Sequence, residues 1–399
     1  MTTVLRGITW EHSRGYDCMV ASSAEYSRRH PDVEIRWEFR SLQQFADAPV
    51  EALAADYDLL VIDHPHIPLA AELGVLAPLD GAGFDSELAT LAAQSLGRSH
   101  ESYSHDGHQY GLASDAAAQV AVYRPDLIEE PPREWDAVLA LARSGRVLWP
   151  AKPIDAFSSL VTIAAGNGHP PAAEPGSFLA ETDALQALDR MHELAAHVPA
   201  ANLEQNPIEI AEQLATSDRW VYAPLAFGYT NYSRAGFRRG RLKYIDIPRG
   251  EHGVTGSLLG GAGIAVSASA SDLHAARAFA VWVASADVQR GVYFDAGGQP
   301  GNAEAWSDRR LGAQTLDFFA GTKATLEGAY LRPRFGGYVE FQDRVAPWVT
   351  ATLRGELADI DLVRRMNDAA GELLTPGRHS AARRSAARHA AIRHTMMGE

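Results

Sequence analysis

The sequence predicts an α/β fold in two lobes, and three observations carry that prediction. Strand-length apolar runs alternate with stretches of helical spacing from Thr3 to Gly74, as strand–helix–strand–helix–strand. A second set of such elements begins near residue 118. The chain has 399 residues, enough for two domains at roughly 100–200 residues each. Alternation of this kind implies β-α-β units, with mostly parallel sheets flanked by helices.

Taken in order, Thr3 to Trp10 is a short β-type run. Asp17 to His30 has helical spacing, with Met19, Val20, Ala24 and Tyr26 available for an inner face. Val33 to Phe39 alternates as a strand. Ser41 can cap a helix through Leu42, Phe45 and Leu53. Tyr57 to Ile62 reads as the third strand, followed by a helix over Pro68 to Gly74. The run 110–128 is extended and turns at Pro125. Further helices are expected near 131–144, 157–165, 182–197, 208–215, 273–284 and 287–294. Further strands are expected near 146–149, 220–225, 242–247 and 257–267. Residues 377–399 differ in kind, with five Arg, three His and one acid, and read as a basic, helical or disordered tail.

Composition narrows the function. Hydrophobic residues make up 46% and charged residues 22%, an ordinary globular balance. A net charge of −14 argues against nucleic acid as a partner, which would demand basic patches. The single cysteine, Cys18, excludes an intramolecular disulfide and a cysteine-based zinc cluster. Arg6, Glu11, His12 and Arg14 break the apolar run that a secretory signal needs. No run of 18 apolar residues offers a membrane span. The expectation is a monomer, cytoplasmic as the sequence stands, or periplasmic or extracellular if a signal has been removed.

Four stretches together resemble one family. GITWEHSRGYDCMVASSAEYSRRHPDVEIRWE is similar to its first strand, helix and second strand. YDLLVIDHPHIPLAAELGVLAPLD, YGLASDAAAQVAVYRPDLI and GSLLGGAGIAVSASASDLHAARAFAVWVAS resemble its third strand, its hinge crossing and its return into the first lobe. The family is the type 1 extracellular solute-binding proteins, the maltose-binding-protein-like receptors of ABC importers. The resemblance implies a periplasmic-binding-protein-like clamshell that closes on a small polar ligand, carbohydrate-like or an organic acid, with an ABC permease as partner and no cofactor. It places crossings near 111–118, 256–262 and 303–312. The first lobe is then 1–112 plus 260–305, and the second 116–256 plus 310–376. Family members normally carry an export signal, and the expectation for this sequence as written is that it has none.

Candidate site residues follow from where ligands sit in such sheets, beyond the carboxyl ends of the strands. Trp10–Glu11–His12, Arg40–Ser41 and Asp63–His64 lie at such ends. A sugar site combines aromatic platforms with hydrogen-bonding partners. The aromatics at positions matching the family cleft are Trp10, Phe157, Phe227, Tyr229, Phe335 and Tyr338. Gly260 and Gly261 would let backbone approach a ligand closely. The polar candidates are Glu11, His12, Arg14, Arg40, Asp63, His64, His66, Asp115, Asp155 and Arg334. An arginine at 334 could clamp a carboxylate or phosphate. His12, Asp63, His64 and His66 are also the candidates for acid–base chemistry, were the chain a cofactor-free enzyme on the same fold. Nothing like HExxH, GxxxxGK[ST] or GxSxG occurs, so neither a metal centre nor a covalent catalyst is expected.

Overall fold

The structure is a computed structural model that describes residues 2–41, 49–172 and 177–376. Most of the helix expected after Ser41, including Leu42 and Phe45, and the whole tail 377–399 lie outside the described residues. Leu53 falls in the helix Val50–Asp56.

Eleven strands are described: β1 Thr3–Trp10, β2 Val33–Arg40, β3 Leu59–Asp63, β4 Ser104–His105, β5 His108–Gln109, β6 Gly111–Ala113, β7 Ala117–Tyr123, β8 Tyr222–Phe227, β9 Lys243–Ile245, β10 Leu259–Gly260 and β11 Ala262–Val266. The first sheet has the order β2-β1-β3-β11-β6. β1 pairs in parallel with β2 and with β3. β11 runs antiparallel to both β3 and β6. Its strands alternate across two cores, as a period of two requires. Leu5, Leu59, Val61 and Ile264 enter one core, which includes Met19 and Phe279 of the helices Asp17–Arg29 and Leu273–Ala284. Ile8, Leu60, Ile62 and Ala265 enter the other, beneath the helices Val50–Asp56 and His66–Leu73.

The second sheet departs from expectation. β7 is its hub, and β10, β8 and β9 each pair with it antiparallel. The expectation of two mostly parallel sheets therefore holds for the β1–β3 core of the first sheet only. The right-handed crossover rule governs consecutive parallel strands, whereas about a hundred residues and several helices separate β7 from β8 and leave direction to long-range packing. The strand expected at Arg146–Trp149 is reduced to a single bridge from Val147 to Tyr222. Around this sheet pack the helices Pro153–Gly166, Tyr338–Leu353 and Asp359–Leu373 on one side, and Pro207–Thr216 and Phe318–Glu327 on the other.

The chain passes between the sheets along adjacent strands. Ser114–Ala116 links β6 to β7, and Gly261 links β10 to β11. Asp115 N–H donates to Ala262 O at 2.9 Å, which ties these two passages together. A third passage lies alongside, where Pro300 bridges Asp115 and Gln299 Nε2 donates to Ala116 O at 2.8 Å.

Candidate functional site

The first sheet's topology brings distant residues to one edge. β1, β2, β3 and β6 all end there, at Trp10, Arg40, Asp63 and Ala113, and β11 begins there. The second sheet faces this edge with the start of β7, the end of β8 and β10. The two edges touch. His64 Nε2 donates to Leu259 O at 3.1 Å, and Asn231 Nδ2 donates to Ser13 Oγ at 3.1 Å. Arg334 donates to the carbonyls of Ser102 and Ser104.

At the centre is a buried ion pair. Arg14 is 4% exposed and Asp115 1%. The guanidinium grips the carboxylate through both oxygens, Nε to Oδ2 and Nη2 to Oδ1, each at 2.5 Å. Its third arm, Nη1, donates to Gly228 O at 2.8 Å, and the carbon lies 4.4 Å from the centre of the Tyr229 ring. Burial opposes the charge on Arg14, but Asp115 overrides it and raises the guanidinium above its ordinary value. One side chain thus joins the loop after β1, the first passage and the segment after β8.

Around this pair stand the titratable candidates. Burial lowers His12 to about 4, with Arg14 and Arg238 adding repulsion. Its Nδ1 accepts the Arg14 backbone N–H at 3.0 Å, and its ring meets Tyr229 edge-on at 5.3 Å. Burial also lowers His66 to about 4, assisted by Arg40 and Arg332. It pushes His64, 1% exposed, well below its ordinary value. Burial raises Asp63 to about 6 against the pull of Arg332. It raises Asp155, in the first turn of Pro153–Gly166, well above the usual carboxylate range. All three imidazoles are therefore neutral hydrogen-bonding groups near pH 7. A general acid or base works best with its pKa near the working pH. These histidines are tuned below it, whereas Asp63 is raised toward it.

Such a depressed imidazole has a pH signature. Below about pH 6.5 the unfolded chain takes up a proton that the folded His12 refuses, so stability falls with pH until about 4. His12→Gln removes this linkage. Relative to its own value at pH 7, the variant should lose less stability than wild type by pH 4, by at most about 3 kcal/mol. Urea melts across that range check it.

The aromatic candidates are placed differently from one another. Phe157 is fully buried in the core, stacked on Phe178 and edge-on to Phe341. Trp10 packs over Gly15, where a Cβ would meet its ring at 2.4 Å. Tyr229 is engaged by Arg14 and His12, and the Tyr338 ring belongs to the core. Phe227 and Phe335 are only partly buried. The close approach at Gly260 is made by the Phe227 ring, 2.7 Å from where a Cβ would sit, and at Gly261 by the Asp115 carbonyl. Glu11 is exposed, and Arg40 is half-buried with its charge disfavoured by burial. Arg334, expected as an anion clamp, is committed to two backbone carbonyls, and burial lowers it to about 10.

The residue missed is Arg332, 8% exposed, whose charge acts on Asp63, His64 and His66. The signal was present in RPRFGGY: Pro333 holds the chain extended, so positions 332 and 334 share a side. Cys18 is inert, its thiol donating to Arg14 O and pushed up to about 12 by burial. Among the described residues no three of His, Cys, Asp or Glu are grouped to hold a metal ion. No helix among them is long and apolar enough to cross a membrane.

Two sheets joined by adjacent passages and closing on a shared polar edge define a clamshell binding protein. The chain belongs to the bacterial extracellular solute-binding protein family, whose model matches residues 21–309. A maltotriose-binding protein from Pyrococcus abyssi is 28% identical over 131 residues, which span 32% of this chain and 28% of that protein. Solved structures give the same fold at lower identity. Maltose-bound T. maritima MalE3 has a TM-score of 0.81 at 18% identity, covering 93% of this chain and all of the other. A solute-binding protein from Thermotoga lettingae bound to α-D-tagatose has a TM-score of 0.78 at 18% identity, covering 94% and 100%. One from Agrobacterium radiobacter in complex with ribitol has a TM-score of 0.78 at 18% identity, covering 93% and 98%.

Proposed function

We propose that this solute-binding protein captures a small polyhydroxylated solute, a sugar or polyol, between its two sheet edges and delivers it to an ABC permease. The observation that carries the reading is the buried polar cluster at the shared edge. Arg14, His64, Asp115 and Arg332 are buried, with the partly exposed Asp63 beside them, and they meet where hydrophobic packing would otherwise be expected. Burying polar groups is costly unless they are hydrogen-bonded or paired, so their concentration at the edge where a ligand would sit supports a recognition role. The ligands named for the solved relatives, maltose, tagatose and ribitol, support the class. The halves that close are residues 1–112 with 260–305, and 116–256 with 310–376. Glu11, Arg40, Phe227 and Asp155 line the entrance as partners of the open form. The protein acts as a monomer, and the family's name supports a place on the outer side of the cell membrane.

Titration calorimetry with maltose, tagatose, ribitol and mannitol tests this. One-to-one saturable binding is expected, with a dissociation constant of about 10 μM or tighter. The bound solute should be recovered unchanged by NMR after prolonged incubation. Conversion of the solute would restore the enzyme alternative, and absence of any binding would overturn the proposal.

A further inference from the structure

We infer that Arg334 is the latch of the clamshell: it ties one half to the other without touching the solute, and so sets how much of the protein is closed. The inference rests on the solute-binding reading above and deepens it by assigning capture a positioning residue.

Arg334 is rooted in the second sheet's half. The segment 331–337 is seated there at both ends. Leu331 is 6% exposed in one core, and Tyr338, fully buried in the other, opens the helix Tyr338–Leu353. Phe335 packs partly on that same core, and its carbonyl accepts the Tyr338 N–H at 3.0 Å. Pro333, just before the arginine, locks one backbone torsion. The root of the side chain therefore has little freedom.

Its acceptors are fixed to the first sheet. Nη1 donates to Ser102 O and Nη2 to Ser104 O. Tyr103, between them, is 1% exposed. Its hydroxyl donates to Ile62 O of β3 at 3.3 Å, and its carbonyl accepts the Tyr110 N–H at 3.0 Å. A Cβ on Gly263 of β11 would meet its ring at 2.3 Å. The two flanking hydroxyls brace the turn from within, Ser102 Oγ on Ser99 O at 2.7 Å and Ser104 Oγ on Glu101 O at 2.8 Å. The same segment meets the first half again at Gly336, where a Cβ would lie 2.7 Å from Glu72 of the helix His66–Leu73.

These bonds have the properties of a latch. Arg334 and the Ser102–Ser104 turn belong to different halves and lie on none of the three passages, so their bonds form only when the halves meet. Both acceptors are backbone carbonyls, so closure through them needs no particular solute. Burial lowers Arg334 to about 10, which keeps its charge near pH 7. Hydrogen bonds from a charged donor are about twice as strong as neutral ones. A weakly hydrated guanidinium also leaves water at less cost than an ammonium would. The Arg14–Asp115 pair differs on this point, because Asp115 lies in a passage itself and stays beside it whether the halves are together or apart.

Arg334→Met on the full chain tests this, by calorimetry with maltose, tagatose, ribitol and mannitol and by small-angle X-ray scattering without solute. Every solute that wild type binds should weaken by about tenfold, with the ratios between solutes kept within about twofold, because a latch changes the closed fraction and not the contacts. The radius of gyration of the solute-free chain should rise. Arg334→Lys, which keeps the charge but cannot span two carbonyls, should fall between wild type and Arg334→Met in both measurements. If Arg334→Met does not fold, Arg334→Lys carries the same comparison. Affinities that stay within about twofold of wild type, or an unchanged radius of gyration, would overturn the inference and leave the solute reading standing. Ratios that shift from solute to solute would overturn it too, by placing Arg334 against the solute. If wild type binds none of the four, the solute reading falls, and the scattering alone decides the latch.

Discussion

Arg14→Ala is expected to lose about 3–5 kcal/mol of folding stability, the largest effect of any single side-chain truncation at the shared edge. The reason is what remains. Asp115 is 1% exposed and its two short hydrogen bonds to Arg14 would vanish, leaving a carboxylate in a site that water does not reach. Gly228 O would lose its donor and the Tyr229 ring its cation. Urea unfolding measures the loss. A double-mutant cycle with Asp115→Leu isolates the pair, because removing both charges also removes the orphan. The double variant Arg14→Ala/Asp115→Leu should recover at least half of the loss. A single-variant loss below about 1 kcal/mol would mean that water reaches Asp115 and the pair behaves as a surface contact. Solute binding should weaken as well, since Arg14 holds three segments of the closed edge together.

The sequence makes the first sheet legible because its pattern is local. β1 and β2 match their expected runs to within a residue, since each is bounded by a turn and β2 also alternates in polarity. The helix expected over 287–294 breaks at Gly291, whose φ of −101° and ψ of −118° are not helical. The helix Tyr338–Leu353 contains Pro347, a residue that argues against helix when read alone. β7 is buried on both faces, so AAQVAVY shows an apolar run and no direction. Its antiparallel partners are fixed by contacts a hundred residues away.

The site was legible to the same depth. Strand ends could be placed at one edge from topology alone, and Asp63, His64 and Asp115 are there. Side-chain direction could not be placed. Arg334 and Arg332 sit two positions apart, and only packing decides that the first caps two carbonyls while the second faces Asp63 and His64. The aromatic candidates raise a related question. A large apolar ring is stabilised by about 1.5–3 kcal/mol on burial whether it faces a ligand or a core. Composition at a cleft position does not separate the two.

Gly261→Ala is the second large effect, expected to cost about 3 kcal/mol or more. Gly261 joins β10 to β11 with φ at +106°, a conformation that L-residues rarely adopt. Space is closed as well: a Cβ would lie 2.5 Å from Asp115 O and 2.9 Å from Ala116 Cα. Both obstacles are backbone of the neighbouring passage, so neither can swing aside as a flexible side chain would. The strain must be relieved by parting the two passages, which breaks the hydrogen bond from Asp115 N–H to Ala262 O. Gly81→Ala supplies the control. Its φ is +66° and nothing lies within 4 Å, so it carries the conformational cost without the collision, about 1 kcal/mol. The difference between the two melts therefore measures how tightly the passages are locked. A rigid pair of passages predicts that Gly261→Ala also weakens solute binding by about tenfold or more, because the edges can no longer meet at the Arg14–Asp115 register. Equal losses for the two glycines, with binding unchanged, would show instead that the passages slide past the added methyl. Closure would then depend on the side chains of the edge alone.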